Sequence, residues 1–159
     1  MALTIILVLY VSIGLMSAAG SVYLSQKFLP TKWEQPFFAL FLIPIAGFYL
    51  AFTAYFGNDA AWGLEGIAVA AFAVLGLLGA RLPAVLIVGY LLHGTWDLLH
   101  ELHVHLGTDT FGGRASTSIP LAYGAFCATY DVVMAAYFHS RRPLWAAAGG
   151  MQRAEREST

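Results

Sequence analysis

The stretch Leu3–Leu24 holds no Asp, Glu, Lys or Arg, and four further apolar stretches follow it: Pro36–Phe56, Ala61–Ala80, Pro83–Val104 and Ile119–His139. About 20 apolar residues in a helix cross the ~30 Å hydrocarbon core of a bilayer. Five such stretches take up most of a chain of 159 residues. They predict an all-α polytopic membrane protein, with a bundle of five transmembrane helices within residues 1–140 and a cytoplasmic tail over 141–159. The runs do not alternate in polarity as the strands of a membrane barrel do. Pro36, Pro83 and Pro120 fall near the first turn of their spans, where a missing N–H has no intrahelical partner to lose. Ser118 is placed to cap the last span, Pro44 to kink the second, and Arg141-Arg142-Pro143 to end the fifth. Ser17-Ala18-Ala19-Gly20 resembles a cleavage site, but no basic residue precedes the long apolar run, so the first span is expected to be retained.

Composition narrows the function. Asp, Glu, Lys and Arg make up 11% of the residues, against about 25% in soluble domains, so the chemistry must lie in the spans or their loops. A net charge of −1 offers nothing to a nucleic acid. Cys127 is the one cysteine, which excludes an internal disulfide and a Cys-based zinc site.

The ionisable residues inside the spans are all acids and imidazoles. Glu65, Asp97, Glu101 and Asp131 lie within apolar stretches, together with His93 and His100, and no Lys or Arg joins them. Such groups are costly in a membrane and usually functional. Without basic partners they must share protons, bind a cation or line water. Spacings of i, i+4 and i+7 put His93, Asp97 and His100 on one stripe, with Glu101 at its margin. At 1.5 Å per residue, His93 and Asp131 lie about 16–18 Å below the Gly/Thr/Ser loop 105–118, and Glu65 and His100 about 6 Å below the same face. Gly124, Cys127, Ala128 and Ala135 share the stripe of Asp131 and would admit a neighbouring helix. Spans three to five are therefore expected to meet around a polar column, with the first two flanking it.

Imidazole and carboxylate donors suit zinc, iron or manganese. The proposed ligands are His93, Asp97, His100 and Asp131, and the acid–base candidates are Glu65, Asp97 and Glu101. The competing reading of each is a hydrogen-bonded strut between helices or between copies in a homo-oligomer. His103, His105 and His139 read as interfacial residues, and Cys127 as a small filler. His100-Glu101-Leu102-His103 lacks the zincin spacing, and no span holds a lysine for a Schiff base.

Leu92–His100 together with Tyr123–Asp131 resembles a bacterial family of small integral membrane proteins of unknown function, over most of the chain. That likeness implies a bacterial inner-membrane location and carries no activity. The pair His93-x3-Asp97 is similar to the His-x3-Glu pair on a span of five-span membrane isomerases of the sterol-isomerase superfamily, with Asp in place of Glu. A fainter likeness is to the alkaline-ceramidase superfamily of zinc-dependent membrane hydrolases, which have more spans. The expected function is a metal-binding membrane hydrolase or isomerase acting on a lipid-like or apolar small molecule among membrane lipids. The alternatives are a proton or divalent-cation transporter or channel, and a metal-free acid–base isomerase.

Lys27, Lys32, Arg81, Arg141, Arg142, Arg153 and Arg156 fall on one side of a five-span topology, and Arg114 alone on the other. The positive-inside bias places the C-terminus in the cytoplasm and the N-terminus outside. A reporter fused after Thr159 should be active as a cytoplasmic fusion and silent as an exported one; an active exported reporter would overturn this topology.

Overall fold

The computed structural model describes residues 1–157, with side chains through residue 148. Five α-helices make up the fold: α1 (Ala2–Phe28), α2 (Thr31–Phe56), α3 (Trp62–Gly79), α4 (Pro83–Leu106) and α5 (Tyr123–Glu157). A short 3-10 turn, Asp59–Ala61, leads into α3, and no strand occurs among the described residues. Three stretches, Ala2–Phe28, Thr31–Phe56 and Asp59–Gly79, are long and apolar enough to cross a membrane. They support a membrane protein.

The helix ends follow local chemistry. Leu29 precedes Pro30 and is held extended (φ −104°, ψ 126°), as is Leu82 before Pro83 (φ −118°, ψ 97°), so α1 stops and α4 starts at prolines. α2 and α4 each close on a glycine in the left-handed region, Gly57 and Gly107.

Four boundaries differ from the sequence reading. α1 runs past Leu24 to Phe28. α2 begins at Thr31, ahead of Pro36, and runs unbroken through Pro36 and Pro44. The earlier start arises because Glu34 and Gln35 are buried and bonded, Gln35 Nε2 donating to the Gly79 carbonyl at 2.8 Å. α5 begins at Tyr123 instead of Ile119, and its first N–H groups are taken by Glu101 instead of Ser118. α5 also continues past Arg141-Arg142-Pro143 to Glu157. Tyr137, Arg141 and Trp145, one turn apart on one stripe, all bind Glu34 of α2 and hold the helix across Pro143. Of the tail 141–159, Ser158 and Thr159 and the side chains of Arg153 and Arg156 lie outside the described residues.

Packing alternates up and down. α5 lies against α4 on one side and α1 on the other, while α3 packs on α2 and α4. The end of the bundle carrying Lys27, Arg81 and Arg141, here the basic end, is filled by Phe38, Leu42, Leu86, Tyr90, Met134 and Phe138. At the opposite, loop end, residues 107–122 fold over α3, with Asn58 Nδ2 donating to the Ser116 carbonyl at 2.7 Å.

Glycines set the closest approaches. A Cβ added at Gly94 of α4 would stand 3.1 Å from the Asp131 Cβ, and one at Gly124 of α5 would collide with the Asp97 carbonyl and lie 2.7 Å from the Glu101 Cβ. Gly124→Ala should therefore force α4 and α5 apart, at a cost of about 1–3 kcal/mol. Thermal unfolding in detergent should show a lowered midpoint, whereas Gly20→Ala, with nothing within 4 Å of the added carbon, should not. Equal midpoints for the two variants would contradict this packing.

Candidate metal centre

α4 presents a run of inward-facing residues. Gly89, Tyr90, His93, Gly94, Asp97, His100 and Glu101 are all buried, at spacings that follow one helix face. His93 sits at the centre. Its Nδ1 hydrogen-bonds Asp131 Oδ2 of α5 at 2.8 Å. Asp97 Oδ2 lies 3.0 Å from the same nitrogen but has no aligned hydrogen bond. Tyr49 of α2 donates its hydroxyl to the other oxygen, Asp97 Oδ1, at 2.5 Å. All four side chains are fully or almost fully buried. Two buried atoms of this group, His93 Nε2 and Asp97 Oδ2, have no hydrogen-bond partner. Buried polar atoms are normally satisfied, so Asp97 Oδ2, beside His93 Nδ1, points to a further partner there, while His93 Nε2 faces away from both carboxylates.

The donor set fits a cation. One atom from each of His93, Asp97 and Asp131 lies within 4.8 Å of the others. A tetrahedral zinc with bonds of about 2.0–2.2 Å spreads its ligand atoms to roughly 3.3–3.5 Å. The contacts of 2.8 and 3.0 Å therefore describe the compact, proton-sharing arrangement, and a few tenths of an ångström of opening would admit an ion. Among the described residues the only Arg or Lys in an ion pair is Arg141, which binds Glu34 at the basic end, so no fixed cation neutralises Asp97 or Asp131.

His100, expected as a ligand, belongs to a different group. Its Nε2 faces Glu65 Oε1 of α3 at 3.0 Å, and its Nδ1 donates to the Trp96 carbonyl at 3.1 Å. The Trp96 carbonyl only accepts, so Nδ1 carries hydrogen. Glu65 Oε1 also accepts the Thr117 N–H at 2.9 Å, while Glu65 Oε2 has no partner. Phe111 from the loop covers His100, ring centres 4.6 Å apart. Tyr49 lies between the two groups, its ring 4.5 Å from that of His100 and its hydroxyl on Asp97.

Glu101, expected as an acid–base candidate, places its carboxylate at the start of α5. It accepts the N–H groups of Ala122 and Gly124, each at 2.9 Å, through its two oxygens. A carboxylate at a helix N-terminus satisfies exposed donors and meets the positive end of the dipole. Ala122 holds a positive φ of 62° at this point, which turns the chain into α5. His103 and His105 bond the carbonyls of Thr108 and Ile119 and brace the loop.

Two residues escaped the sequence reading. Tyr49 looks like any aromatic in an apolar span; its signal is the stripe Phe38, Leu42, Ala46, Tyr49, Thr53, which places a hydroxyl on the buried face of α2. α2 thus takes part in the site instead of flanking it. Glu34 was read as a loop residue; it is buried and accepts from Arg141 Nη2 at 2.8 Å, Arg141 Nε at 3.0 Å, Trp145 Nε1 at 2.8 Å and the Tyr137 hydroxyl.

A cavity of about 310 Å³ adjoins the cluster. It lies between α1, α2 and α5 and reaches His93 and Asp131, with Phe41, Ile45, Phe48 and Phe126 in its wall. No family model, curated protein or solved structure matches this chain.

Glu101→Ala should leave two N–H groups of α5 unsatisfied, at about 1–3 kcal/mol each. The expected result is a lowered unfolding midpoint with any bound metal retained; loss of metal without loss of stability would return Glu101 to the cluster.

Proposed function

We propose that this chain is a five-span membrane enzyme whose His93, Asp97 and Asp131 hold a divalent zinc, iron or manganese ion and act on a lipid-like substrate. The observation that carries this reading is the buried His–Asp–Asp group with Asp97 Oδ2 unpartnered, on the wall of an apolar cavity. α4 and α5 complete the five spans. Their outward faces are apolar and exposed, with Val88, Leu92 and Leu98 on α4 and Val132 on α5, while His93, Asp97, His100, Glu101 and Asp131 turn inward. That inward polarity lowers their mean hydropathy without exposing charge to lipid.

A bound ion would polarise a substrate oxygen or activate water. Tyr49 fixes the orientation of Asp97 through Oδ1 and leaves Oδ2 free to ligate. The Glu65–His100 pair is the acid–base reserve on the loop side, covered by Phe111. A metal-free isomerase is the second reading, favoured by the 2.8 Å contact of His93 Nδ1 with Asp131, a geometry suited to proton transfer. The resemblance to uncharacterised bacterial inner-membrane proteins agrees with both and decides neither.

Elemental analysis of the purified protein separates them. The wild type should carry zinc, iron or manganese, and His93→Ala, Asp97→Asn and Asp131→Asn should each weaken binding by at least about 10–100-fold, the range that even outer partners of ligands command. His100→Ala and the exposed controls Asp59→Asn and Asp109→Asn should keep the ion. A wild type without metal would overturn the metal reading, and proton or cation flux in liposomes would then favour transport over isomerisation.

A further inference from the structure

A second cavity, of about 320 Å³, lies between α1 and α2 next to the first. Ser21, Phe41 and Tyr130 line both. The two together follow α2 from Phe48 to Phe37 and end against Phe28 and Leu29 at the basic end. Eleven residues of helix rise about 16 Å, close to half of the ~30 Å hydrocarbon thickness. The groove is therefore about one leaflet long. Its walls are almost wholly apolar: polar atoms come from Ser21, Ser25 and Tyr130 along it, and from His93, Asp131, Tyr123 and Cys127 at its inner end.

The ends differ in charge. Lys27, next to the groove, is exposed; its Nζ donates to the Tyr23 hydroxyl at 3.4 Å and lies 5.3 Å from the centre of the Phe28 ring, which lines the groove's end. Among the described residues Lys27 makes no ion pair, in contrast to Arg141, which Glu34 neutralises. The far end of the groove reaches the His93–Asp131 group, near mid-depth on the spans.

We infer that this groove holds one chain of an anionic amphiphile, with its head at Lys27 and the far part of its chain at His93 and Asp131. The inference rests on the reading of that group as the reactive centre and sharpens it: the cluster meets the substrate's chain, about one leaflet's depth from its head. Burial of the chain cannot itself supply selectivity, because lipid tails are as apolar as the groove. Recognition must come from the cation at one end and the polar group at the other.

Photoreactive palmitic acid tests this on the purified full chain in lipid nanodiscs, with the diazirine placed either at the chain terminus or beside the carboxylate. Terminal probes should label Ile45, Phe48 and Phe126–Tyr130, and carboxylate-side probes should label Lys27–Leu29 and Phe37. The reverse pattern, or labelling no stronger than on the lipid-facing Ile67 and Leu77 of α3, would overturn the proposal. Ser21→Leu fills the junction of the two cavities; it should abolish terminal labelling on α5 and keep head-side labelling, and unchanged terminal labelling would count against the groove. Lys27→Gln, at an exposed position, should reduce labelling by the acid and not by the matching alcohol; equal labelling by the acid would remove the anionic head. Metal content measured on the same samples keeps the two readings apart. A metal-free protein with the expected labels loses the metal and retains the groove, and a metal-loaded protein without them does the opposite.

Discussion

Asp97 and Asp131 project from two helices toward one imidazole, and among the described residues no Arg or Lys pairs with them. The arrangement depends on how closely α4 and α5 approach, which Gly94 and Gly124 allow by giving their Cβ space to the opposite helix. Two carboxylates around one nitrogen in a low-dielectric interior cannot both remain ionised without a compensating positive charge. The positive charge that offsets them must come from a proton on His93, from a proton on one carboxylate, or from a bound cation. Protons suit the spacing as it stands, and a divalent ion suits it after a small opening. Helix packing and site chemistry are in this sense one constraint, since moving α5 away from α4 would both empty the Gly94 contact and pull Asp131 off His93.

The two ends of the bundle have divided labour. The basic end is a packed apolar core tied by one dense knot at Glu34, where a guanidinium, an indole and a phenol all donate to a single carboxylate. Removing one partner of a buried pair leaves an uncompensated charge, so such knots hold geometry more than they add net stability. The loop end carries Glu65 and His100 beneath a closure made by Phe111 and Thr117. Tyr49 of α2 touches both His100 and Asp97, by its ring and its hydroxyl respectively.

Much of this was legible in the sequence. The all-helical fold, with helices near each of the five apolar stretches, followed from run length; of the three prolines expected at helix starts, only Pro83 opens a helix. The stripe of His93 and Asp97 followed from helical spacing, and Asp131 was placed at matching depth. What could not be read was which neighbouring helix each inward side chain meets. His100 shares the stripe with His93, but seven residues along a helix also advance about 10 Å, enough to carry it to Glu65 on a different helix. Glu101 resembled a catalytic acid because its partners are backbone N–H groups, which have no signature in residue identity. The continuation of α5 depends on a contact between Glu34 and Arg141, 107 positions apart. No local pattern around Pro143 reveals it.

α5 is one unbroken helix carrying Asp131 in its first half and the Glu34-binding residues Tyr137, Arg141 and Trp145 farther along. Ten residues, about 15 Å of rod, separate the aspartate from Arg141. A continuous hydrogen-bonded helix does not shorten, so a force applied at the basic end along the axis arrives at Asp131 as displacement rather than being absorbed. The knot at Glu34 is thus a mechanical anchor. It pins the rod's axial position to α2, the helix that also bears Tyr49, and the distance between the aspartate on one rod and the tyrosine on the other is gauged from a shared fixed point.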